Sequence, residues 1–409
     1  MARPQAEVIV IGAGAAGLAA AATLARAGRE VLLLEARSRI GGRCLTLRHP
    51  ALEAPIELGA EFIHGRPAAT VALLRKTRTK AIESTRTQRM LWQGRLVSVN
   101  AFSAARQAAQ VPVTKDTSFA SYLDQQTLSA RAKALATMMV QGFDAADPRK
   151  ASAADIVEEW GAEAIGASQQ RPVGGYGPLL ERLAGSGARL QLQTAVREVR
   201  WRRGRVEVAG TFQGQPFRAS AKRAVVTLPL GVLQSGAVRF IPNLGRKQFA
   251  LSRLASGPVI RVAMVFQSRF WDPKVAFYHA PQAPFPTFWT PLPMRAPLLT
   301  AWAGGPKAAR LAGRGSRGLV HLALETVESV LRVKADLAAA YVHDWRADPC
   351  ARGGYSYVKV NGEGAREQLA TPLQETLFFA GEATNTEGES GTVGGALQSG
   401  VRAAQEILG

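Results

Sequence analysis

The chain has 409 residues, of which 47% are hydrophobic and 20% charged, and its 51 Lys and Arg exceed its 31 Asp and Glu by a net charge of +20. This length and hydrophobic fraction predict a globular protein of two domains and exclude a disordered chain. Cys44 and Cys350 are the only cysteines, which excludes a disulfide framework and favours a reducing, cytoplasmic location.

The first predicted elements are a strand at 7–11, a glycine turn at 12–17 and a helix at 18–27. The uncharged run 8–25 is long enough to span a membrane. The glycines inside it break any continuous apolar helix, and no Lys/Arg-rich segment precedes it. We therefore expect neither a membrane span nor a signal peptide.

The turn has the spacing G-x-G-x-x-G, which after a strand and before a helix predicts a dinucleotide-binding loop. Gly12 permits the tight turn, Gly14 lets the backbone approach a pyrophosphate, and Gly17 lets the helix pack closely on the strand. Ala15 and Ala16 stand where the helix N-terminus would face the phosphates. A glycine turn without a ligand is the alternative.

A second predicted strand at 31–34 ends in Glu35, which lies 18 positions beyond Gly17. An acidic residue about 20 positions after the loop binds the ribose hydroxyls in such folds. The spacing therefore favours a free 2′-hydroxyl over a 2′-phosphate. The loop alone does not separate NAD from FAD.

Residues 35–43 read E-A-R-S-R-I-G-G-R and resemble the corresponding stretch of the flavin-containing amine oxidase family, which includes monoamine and polyamine oxidases. The resemblance implies non-covalent FAD, with its pyrophosphate surrounded by the paired glycines and the last arginine. A guanidinium suits a diphosphate because it donates charge-assisted hydrogen bonds in a fixed geometry. The implied cofactor-binding residues here are Ala36, Arg37, Gly41, Gly42 and Arg43.

Residues 57–65, E-L-G-A-E-F-I-H-G, resemble the polyamine-oxidase branch of the family, in which this segment passes beside the flavin ring. The resemblance implies that Gly59, Ala60 and Glu61 contact FAD and that Glu61 and His64 line the site. We expect the Glu61 carboxylate to attract a cation, which favours amines over amino acids. A purely structural role is the alternative for His64.

The middle of the chain is predicted to be helical at 118–123, 130–139 and 153–160. The glycines at 174–177 follow no predicted strand and match a family motif, and the resemblance makes the Val196 backbone an adenine contact. The arginine-rich run 197–205 is predicted to be the exposed face of a β-hairpin. Because arginines are scattered along the chain, we do not expect nucleic-acid binding.

A strand is predicted at 259–266, and Arg261 on it stands where the family normally has a lysine that holds a water near the flavin. Arginine keeps the charge but has a different donor geometry. An altered but working O2 site, a dehydrogenase that uses O2 poorly and a shifted alignment remain open. The first is our preferred interpretation.

Helices are predicted at 319–333, 334–345 and, at the end of the chain, from 392 to 408. The family resemblance places the Trp345 ring near the flavin. Tyr355 stands where monoamine oxidases carry a flavin-linking cysteine, which excludes a thioether at that point. Thr392 stands where those enzymes have a cage aromatic, which puts arylalkylamine specificity in doubt.

The segments 377–384 and 391–396 resemble the family region that closes the FAD site. The resemblance implies cofactor contacts from Gly381, Glu382, Thr392 and Val393. The N-terminus of the last helix would favour the negative charge of the reduced flavin.

The fold class predicted from these elements is α/β, with a Rossmann-like FAD-binding domain of the glutathione-reductase or amine-oxidase type and a mixed α+β substrate domain. We expect a doubly wound FAD domain from 1–75, 170–250 and 345–409, and a substrate domain from 76–169 and 251–344. Catalytic candidates are Arg261, Trp345, Tyr355, Thr392, Glu61 and His64, with no metal site.

The predicted function is oxidation of a primary or secondary amine to an imine, which hydrolyses to a carbonyl compound, with O2 reduced to H2O2. The expected partners are a small amine and O2, and the expected assembly is a monomer or homodimer. The alternatives are an L-amino acid oxidase, a desaturase or porphyrinogen-type oxidase, and a non-catalytic FAD scaffold.

Overall fold

The computed structural model describes residues 5–161, 168–185 and 187–409, and a parallel β-sheet of five strands organises its first domain. The central strand Val8–Ile11 and its neighbour Val31–Leu34 are fully buried, as expected for unbroken Val, Ile and Leu runs in a parallel sheet. The strands lie in the order Arg189–Gln191, Val31–Leu34, Val8–Ile11, Arg223–Val226 and Leu377–Phe379.

One face of this sheet is covered by the helices Ala15–Arg26 and Val393–Leu408, from opposite ends of the chain. The two helices approach closely at Gly400, where an added Cβ would overlap the main chain of Ala16. The same layer of helices also includes Tyr176–Ala184 and Ala68–Lys76. The predicted helix at 18–27 begins three residues earlier, at Ala15.

The opposite face is covered by strands instead of helices. The antiparallel strands Thr194–Arg202, Arg205–Phe212 and Gln215–Ala221 pack their valines and alanines against the sheet, and Arg239–Ile241 joins their edge. The expectation of a doubly wound domain was therefore wrong for this face. The predicted β-hairpin at 197–205 is confirmed, since the chain reverses between Arg202 and Arg205.

A mixed sheet of seven strands forms the second domain. Its strand Val259–Phe266 is fully buried, and its strand Gln88–Trp92 pairs in parallel with Phe277–His279, whereas the other pairs are antiparallel. The strand order is Leu337–Asp344, Val259–Phe266, Leu298–Gly304, Thr287–Trp289, Phe277–His279, Gln88–Trp92 and Arg95–Val99.

Helices accompany this sheet, and those predicted at 118–123, 130–139, 153–160 and 319–333 are confirmed with small shifts of their ends. The first three of these helices form one core with a further helix at 101–108, and the helix predicted at 319–333 packs on the sheet itself. The six helices of this domain are Ala101–Ala108, Phe119–Gln125, Ala130–Gly142, Ala153–Gly161, Gly305–Arg310 and Gly315–Leu331.

The helix predicted at 334–345 is wrong, because Leu337–Asp344 is a strand. The preceding helix ends at Leu331, and Arg332 adopts a left-handed conformation with φ of 56°. The segment then pairs along the whole of Val259–Phe266. Pairing with a buried strand outweighs the helix preference of its alanines.

The remaining elements are short and connect the two sheets. Gln169–Pro172 directly precedes the glycines at 174–177, so the expectation that no strand precedes them was wrong. The short elements are Thr46–Leu47, Ile56–Glu57, Ile63–His64, Ala81–Glu83, Gln169–Pro172, Leu230–Gln234, Gly245–Lys247, Gln248–Arg253, Leu254–Ser256, Ser356–Val358, Ala365–Ala370 and Glu382–Thr384.

All strands of the parallel sheet lie within 1–75, 170–250 and 345–409, and all strands of the mixed sheet lie within 76–169 and 251–344. We therefore keep this division as our proposal for the domain boundaries. Within the residues that the structure describes, no helix has the length and apolar character needed to cross a membrane.

Candidate active site

The glycine turn joins the central strand to the helix Ala15–Arg26. Gly12 has a φ of +106°, which favours glycine, and Gly14 is the N-cap of the helix. An added Cβ at Gly17 would overlap the carbonyl of Gly12, so this glycine brings the helix close to the strand. The helix N-terminus thus presents its main-chain amides to the cavity next to it, as anion binding requires.

Glu35 lies at the carboxyl end of the strand Val31–Leu34 and is 5% exposed. Its Oε2 accepts a hydrogen bond from Ala13 N at 2.8 Å, and its Oε1 accepts one from Arg37 N at 2.9 Å. These two amides fix the carboxylate beside the glycine turn. Glu35 lines the same cavity as Gly12 and Gly14, where a ribose attached to a bound diphosphate would lie.

Arg37 is held in place by residues from the other end of the sequence. Its Nη2 donates to Asp348 Oδ2 at 2.6 Å, and His343 Nε2 lies 3.0 Å from the same oxygen. Burial alone would raise the pKa of Asp348, but the hydrogen bond with His343 and the charge of Arg37 lower it to about 2. Asp348 is therefore ionised at neutral pH and orients Arg37.

The paired glycines close over the turn. Gly41 N donates to Ala13 O at 2.8 Å, and an added Cβ at Gly42 would lie only 3.2 Å from Gly14 Cα. The close approach leaves main-chain atoms along this side of the cavity. This small-residue lining fits the close main-chain contact that a pyrophosphate needs.

Arg43, which is partly exposed, forms an ion pair with the buried Glu382 that the sequence did not predict. Its Nη1 donates to Glu382 Oε1 at 2.8 Å and to Gly354 O at 2.6 Å, while Glu382 Oε2 accepts from the Ser356 hydroxyl at 2.7 Å. Burial opposes the charge of Glu382, but Arg43 and Ser356 hold its pKa below the ordinary value. The two residues join the first and last parts of the site.

Thr392 is the N-cap of the last helix, Val393–Leu408. Its Oγ1 accepts a hydrogen bond from Gly395 N at 2.9 Å and donates one to Glu389 O at 2.7 Å. The helix N-terminus therefore faces the cavity next to Gly381. Partial positive charge at this position favours an anionic ligand group.

These features line one continuous cavity of about 500 Å³. Every predicted site residue lies along it except Gly17, which acts through packing. The predicted residues that line it are Gly12, Gly14, Ala15, Ala16, Glu35, Ala36, Arg37, Gly41, Gly42, Arg43, Gly59, Ala60, Glu61, His64, Val196, Arg261, Trp345, Tyr355, Gly381, Glu382, Thr392 and Val393.

Beyond the glycine turn the cavity opens into a chamber lined by aromatic rings. Trp345 is 2% exposed and donates from Nε1 to Leu58 O at 2.7 Å. The Tyr355 hydroxyl donates to Phe143 O at 2.6 Å. The chamber is completed by Phe62, Phe102, Phe143, Phe277, Trp289 and Trp302. Such rings bind alkyl chains through apolar contact and cations through their faces.

Arg261 is 1% exposed, lies on the buried strand Val259–Phe266 and donates to Gly59 O and to Glu61 Oε2. Its guanidinium lies over the Trp289 ring, 4.9 Å from the centroid. Burial lowers the pKa of Arg261 to about 9, although the charge of Glu57 opposes this. Arg261 remains a cation at neutral pH.

Glu61 is shared between two arginines, which corrects the expectation that its carboxylate attracts a substrate cation. Arg171 Nε donates to Oε1 at 2.7 Å, while Arg261 and Trp289 Nε1 donate to Oε2, the latter at 3.0 Å. One carboxylate between two guanidinium groups leaves a positive local charge. Arg171, Trp289 and Trp302 were missed because they are distant in sequence from the motifs and match none of them.

His64 lies between the rings of Phe62 and Phe143, with centroid distances of 6.0 and 5.1 Å. Burial lowers the pKa of His64 to about 4, so the imidazole is neutral at neutral pH. It lines the chamber as a polar but uncharged ring.

Residues 15–408 match the protein family described as flavin containing amine oxidoreductase. Lysine-specific histone demethylase 2 of Homo sapiens is 33% identical over 57% of this chain and 29% of that protein. Polyamine oxidase 4 of Oryza sativa subsp. japonica is 28% identical over 98% of this chain and 88% of its own.

The chain spans 29% to 58% of the length of three histone demethylase relatives. Among solved structures, putrescine oxidase bound to putrescine superposes with a TM-score of 0.83 and 21% identity, covering 98% of this chain and 99% of the other. Cyclohexylamine oxidase from Brevibacterium oxydans superposes with a TM-score of 0.82 at 21% identity, covering 99% of both chains. These two similarities concern the fold.

Proposed function

Since the chain belongs to the flavin-containing amine oxidoreductase family, we propose that it is an FAD-dependent oxidase that converts a primary or secondary amine to an imine and reduces O2 to H2O2. One observation carries the proposal. The dinucleotide loop and the aromatic chamber line the same cavity, so the loop would hold the dinucleotide and the chamber would hold the amine within one continuous space.

The residues that would hold FAD are those of the glycine turn, Glu35, the paired glycines and the N-termini of the first and last helices. They fit the group because the loop segments approach each other at glycines, such as Gly14 and Gly42, so that no side chain covers the main-chain amides there. When bound, FAD supplies the acceptor for a hydride equivalent from the carbon next to nitrogen. Tyr355 in place of a linking cysteine supports non-covalent binding.

The substrate nitrogen must be deprotonated before this transfer, because an ammonium has no lone pair to assist cleavage of the C–H bond. The chamber supports this requirement. Its aromatic walls remove water from the amine, and its neutral His64 adds no charge. The positive Glu61–Arg171–Arg261 cluster also disfavours an ammonium beside it. We expect kcat/KM to rise with pH through the pKa of the amine.

An α-amino acid would need a guanidinium with free donors for its carboxylate. Arg171 already donates to Glu61, Ser84, Thr290 and Leu292. Arg261 already donates to Gly59 and Glu61, and its remaining Nε is buried. Because the donors of both arginines are taken up or enclosed, we favour an amine over an amino acid.

O2 as the electron acceptor is part of the proposal because a buried cation beside the flavin would stabilise the negative charge that forms on reducing oxygen. Arg261 would supply that cation, since it is buried and lines the same cavity. Cytoplasmic location is proposed from the two free cysteines, Cys44 and Cys350. A monomer or homodimer remains our proposal for the assembly.

Anaerobic mixing of the purified yellow protein with single compounds tests the function. The panel contains an alkylamine, an alkyl diamine, a peptide with methylated lysine, an L-amino acid and NADPH, and flavin absorbance is followed before air is admitted. We expect an amine to bleach the flavin and O2 to restore it with release of H2O2. Bleaching by NADPH alone would refute the proposal, and bleaching by the amino acid alone would reassign the substrate.

A further inference from the structure

Two acidic residues line the cavity on the side formed by the helical part of the second domain. Asp144 follows the helix Ala130–Gly142, and Glu159 lies near the end of the helix Ala153–Gly161. Phe143, next to Asp144, accepts the hydrogen bond of Tyr355. The acidic pair therefore adjoins the aromatic chamber, and no motif predicted it.

Asp144 is 6% exposed, and neither of its carboxylate oxygens has a hydrogen-bond partner among the residues that the structure describes. The indole N–H of Trp160 approaches it without the alignment of a full hydrogen bond. Burial raises the pKa of Asp144 well above its ordinary value, and the charges of Glu159 and Asp155 add to this effect. A buried carboxyl group without a partner is costly and calls for an explanation.

Glu159 points into the cavity, whereas its neighbour Glu158 on the same helix is exposed to solvent. Burial raises the pKa of Glu159 to about 7, with the charge of Asp155 raising it further and that of Arg366 opposing. Arg366 is itself bound to Ser356, to whose Oγ its Nη1 donates at 2.8 Å. The charged groups around the pair are thus Asp155 and Arg366, and the Tyr355 phenol beside them is neutral because burial raises its pKa.

The cavity carries two groups of charged residues, one basic and one acidic. The group around Glu61 carries two arginines for one carboxylate. Elsewhere along the cavity, Asp144 and Glu159 are close to a further acid, Asp155, and Arg366 offsets the charges of Glu159 and Asp155. A ligand with a neutral nitrogen at one end and an ammonium at the other matches this distribution, because a cation next to the acidic pair offsets the cost of burying it.

We propose that Asp144 and Glu159 bind a second, cationic nitrogen of the substrate, so that the preferred substrate is an α,ω-diamine or a longer polyamine. This inference rests on the proposed function and deepens it. The cation-binding role expected of Glu61 thus passes to Asp144 and Glu159, because Glu61 is already paired with two arginines. Without ligand the pair keeps a proton, and the arriving ammonium displaces it into solvent.

Matched substrates and variants test the pair. The substrates are an α,ω-diamine and the n-alkylamine of equal carbon number, compared by kcat/KM. In Glu159→Gln and Asp144→Asn we expect the value for the diamine to fall by about tenfold to a hundredfold, the size of one charge-assisted interaction, with the monoamine nearly unchanged. Glu158→Gln is the matched control on the same helix. Equal changes for both substrates would refute the inference.

Calorimetry of the anaerobic, flavin-loaded protein separates this inference from the proposed function. The diamine and the monoamine are titrated near pH 7 in buffers of different ionisation enthalpy, which reports the protons released on binding. We expect the diamine to release more protons than the monoamine, and this excess to vanish in Glu159→Gln. If no amine bleaches the flavin but the excess is present, the inference stands while the oxidase proposal fails. If monoamines are oxidised and the diamine releases no excess of protons, the oxidase proposal stands and the inference about Asp144 and Glu159 fails.

Discussion

At the scale of single residues, the most consequential arrangement is the sharing of Glu61 between Arg171 and Arg261. All three side chains are at least nine-tenths buried. A lone buried charge is far less stable than a buried pair, because it has lost water without gaining a counter-ion. Glu61 thus stabilises two cations at once and holds Arg261 against the main chain of Gly59.

Glu61→Gln should lower the free energy of unfolding by about 3–5 kcal/mol, because it leaves two buried guanidinium groups without a counter-ion. Urea unfolding of the flavin-loaded protein measures this. Glu7→Gln, which removes the exposed pair of Glu7 with Arg29, is the control and should change stability by less than about 0.5 kcal/mol. A loss below about 1 kcal/mol for Glu61→Gln would show that the cluster is not closed to water.

His279 offers a pH-dependent test at the same scale. Its ring nitrogens lie 3.2 Å from Thr287 Oγ1 and 3.3 Å from Gln88 Oε1, and burial lowers its pKa to about 4. The unfolded chain takes up a proton below about pH 6.5 that the native His279 does not. His279 therefore stabilises the native state fully above pH 6.5, and this contribution is lost as the pH falls towards 4.

The stability difference between the protein and His279→Gln should accordingly shrink by about 2 kcal/mol from pH 7 to pH 5, at about 1.4 kcal/mol per pH unit. The buried acids Glu57 and Glu159, whose pKa values are raised, act in the opposite direction but cancel in this difference. Urea unfolding at both pH values gives the result. A difference that does not vary with pH would mean that native His279 binds its proton normally.

Single residues were predictable where a motif fixes both type and spacing. Gly12, Gly14 and Glu35 needed only the strand, turn and helix around them. Arg171 and Asp144 have no such context, because their partners lie far away in sequence or are absent. Which charged side chains lie next to each other in a cavity depends on the folded structure, so it cannot be predicted from the spacing of residues along the sequence.

At the scale of elements, helix ends build both walls of the proposed flavin site. The first and last helices both direct their N-termini at the cavity. Only the last helix has a side-chain cap, which Thr392 provides, whereas the first helix begins at Gly14 without a side-chain cap. The first helix leaves its terminal amides open for a phosphate, and the last uses one of them internally.

Thr392→Ala should destabilise the protein by about 1 kcal/mol through loss of the cap on Val393–Leu408, and Thr392→Ser should be nearly neutral. Ser129→Ala removes a cap of the same kind from the helix Ala130–Gly142 and serves as the comparison. Thermal unfolding of the apoprotein and of the flavin-loaded protein measures both. If only the Thr392 variant also binds FAD more weakly, the cap positions the helix for the cofactor.

Elements were predictable where one period dominated the sequence. The β-branched runs at 8–11 and 259–266 and the amphipathic helices at 130–142 and 153–161 appear where expected. The segment at 337–344 does not, because its alanines favour a helix and only the long-range pairing with 259–266 makes it a strand. The hairpin at 197–205 was predicted, but its packing on the second face of the parallel sheet was not, because that packing depends on contacts between distant segments.

At the scale of the whole molecule, the arginines behind the net charge of +20 are scattered along the sequence and are not clustered as in a nucleic-acid-binding surface. Several arginines pair locally with acids on exposed strands, such as Arg200 with Glu198 and Arg205 with Glu207. The cavity itself carries a basic and an acidic group of residues. The excess charge is therefore expected to act as a general surface property and not as a specific nucleic-acid site.

We expect no specific binding to DNA, so any affinity for a duplex should be non-specific and fall steeply between about 50 and 200 mM salt, as counter-ion release requires. Fluorescence anisotropy with two unrelated duplexes measures this. Sequence preference, or affinity that persists at about 200 mM salt, would contradict the prediction and favour the scaffold alternative.

The ion pairs Arg37–Asp348 and Arg43–Glu382 join residues that are separated by more than three hundred positions along the chain. During synthesis on a ribosome, the amino-terminal glycine turn emerges long before the strand Leu377–Phe379 and the helix Val393–Leu408 that complete its sheet and its layer. The nascent chain therefore has no finished flavin site until these two elements have been synthesised. A nascent chain could therefore bind flavin only after these late residues have paired with the amino-terminal part of the sheet.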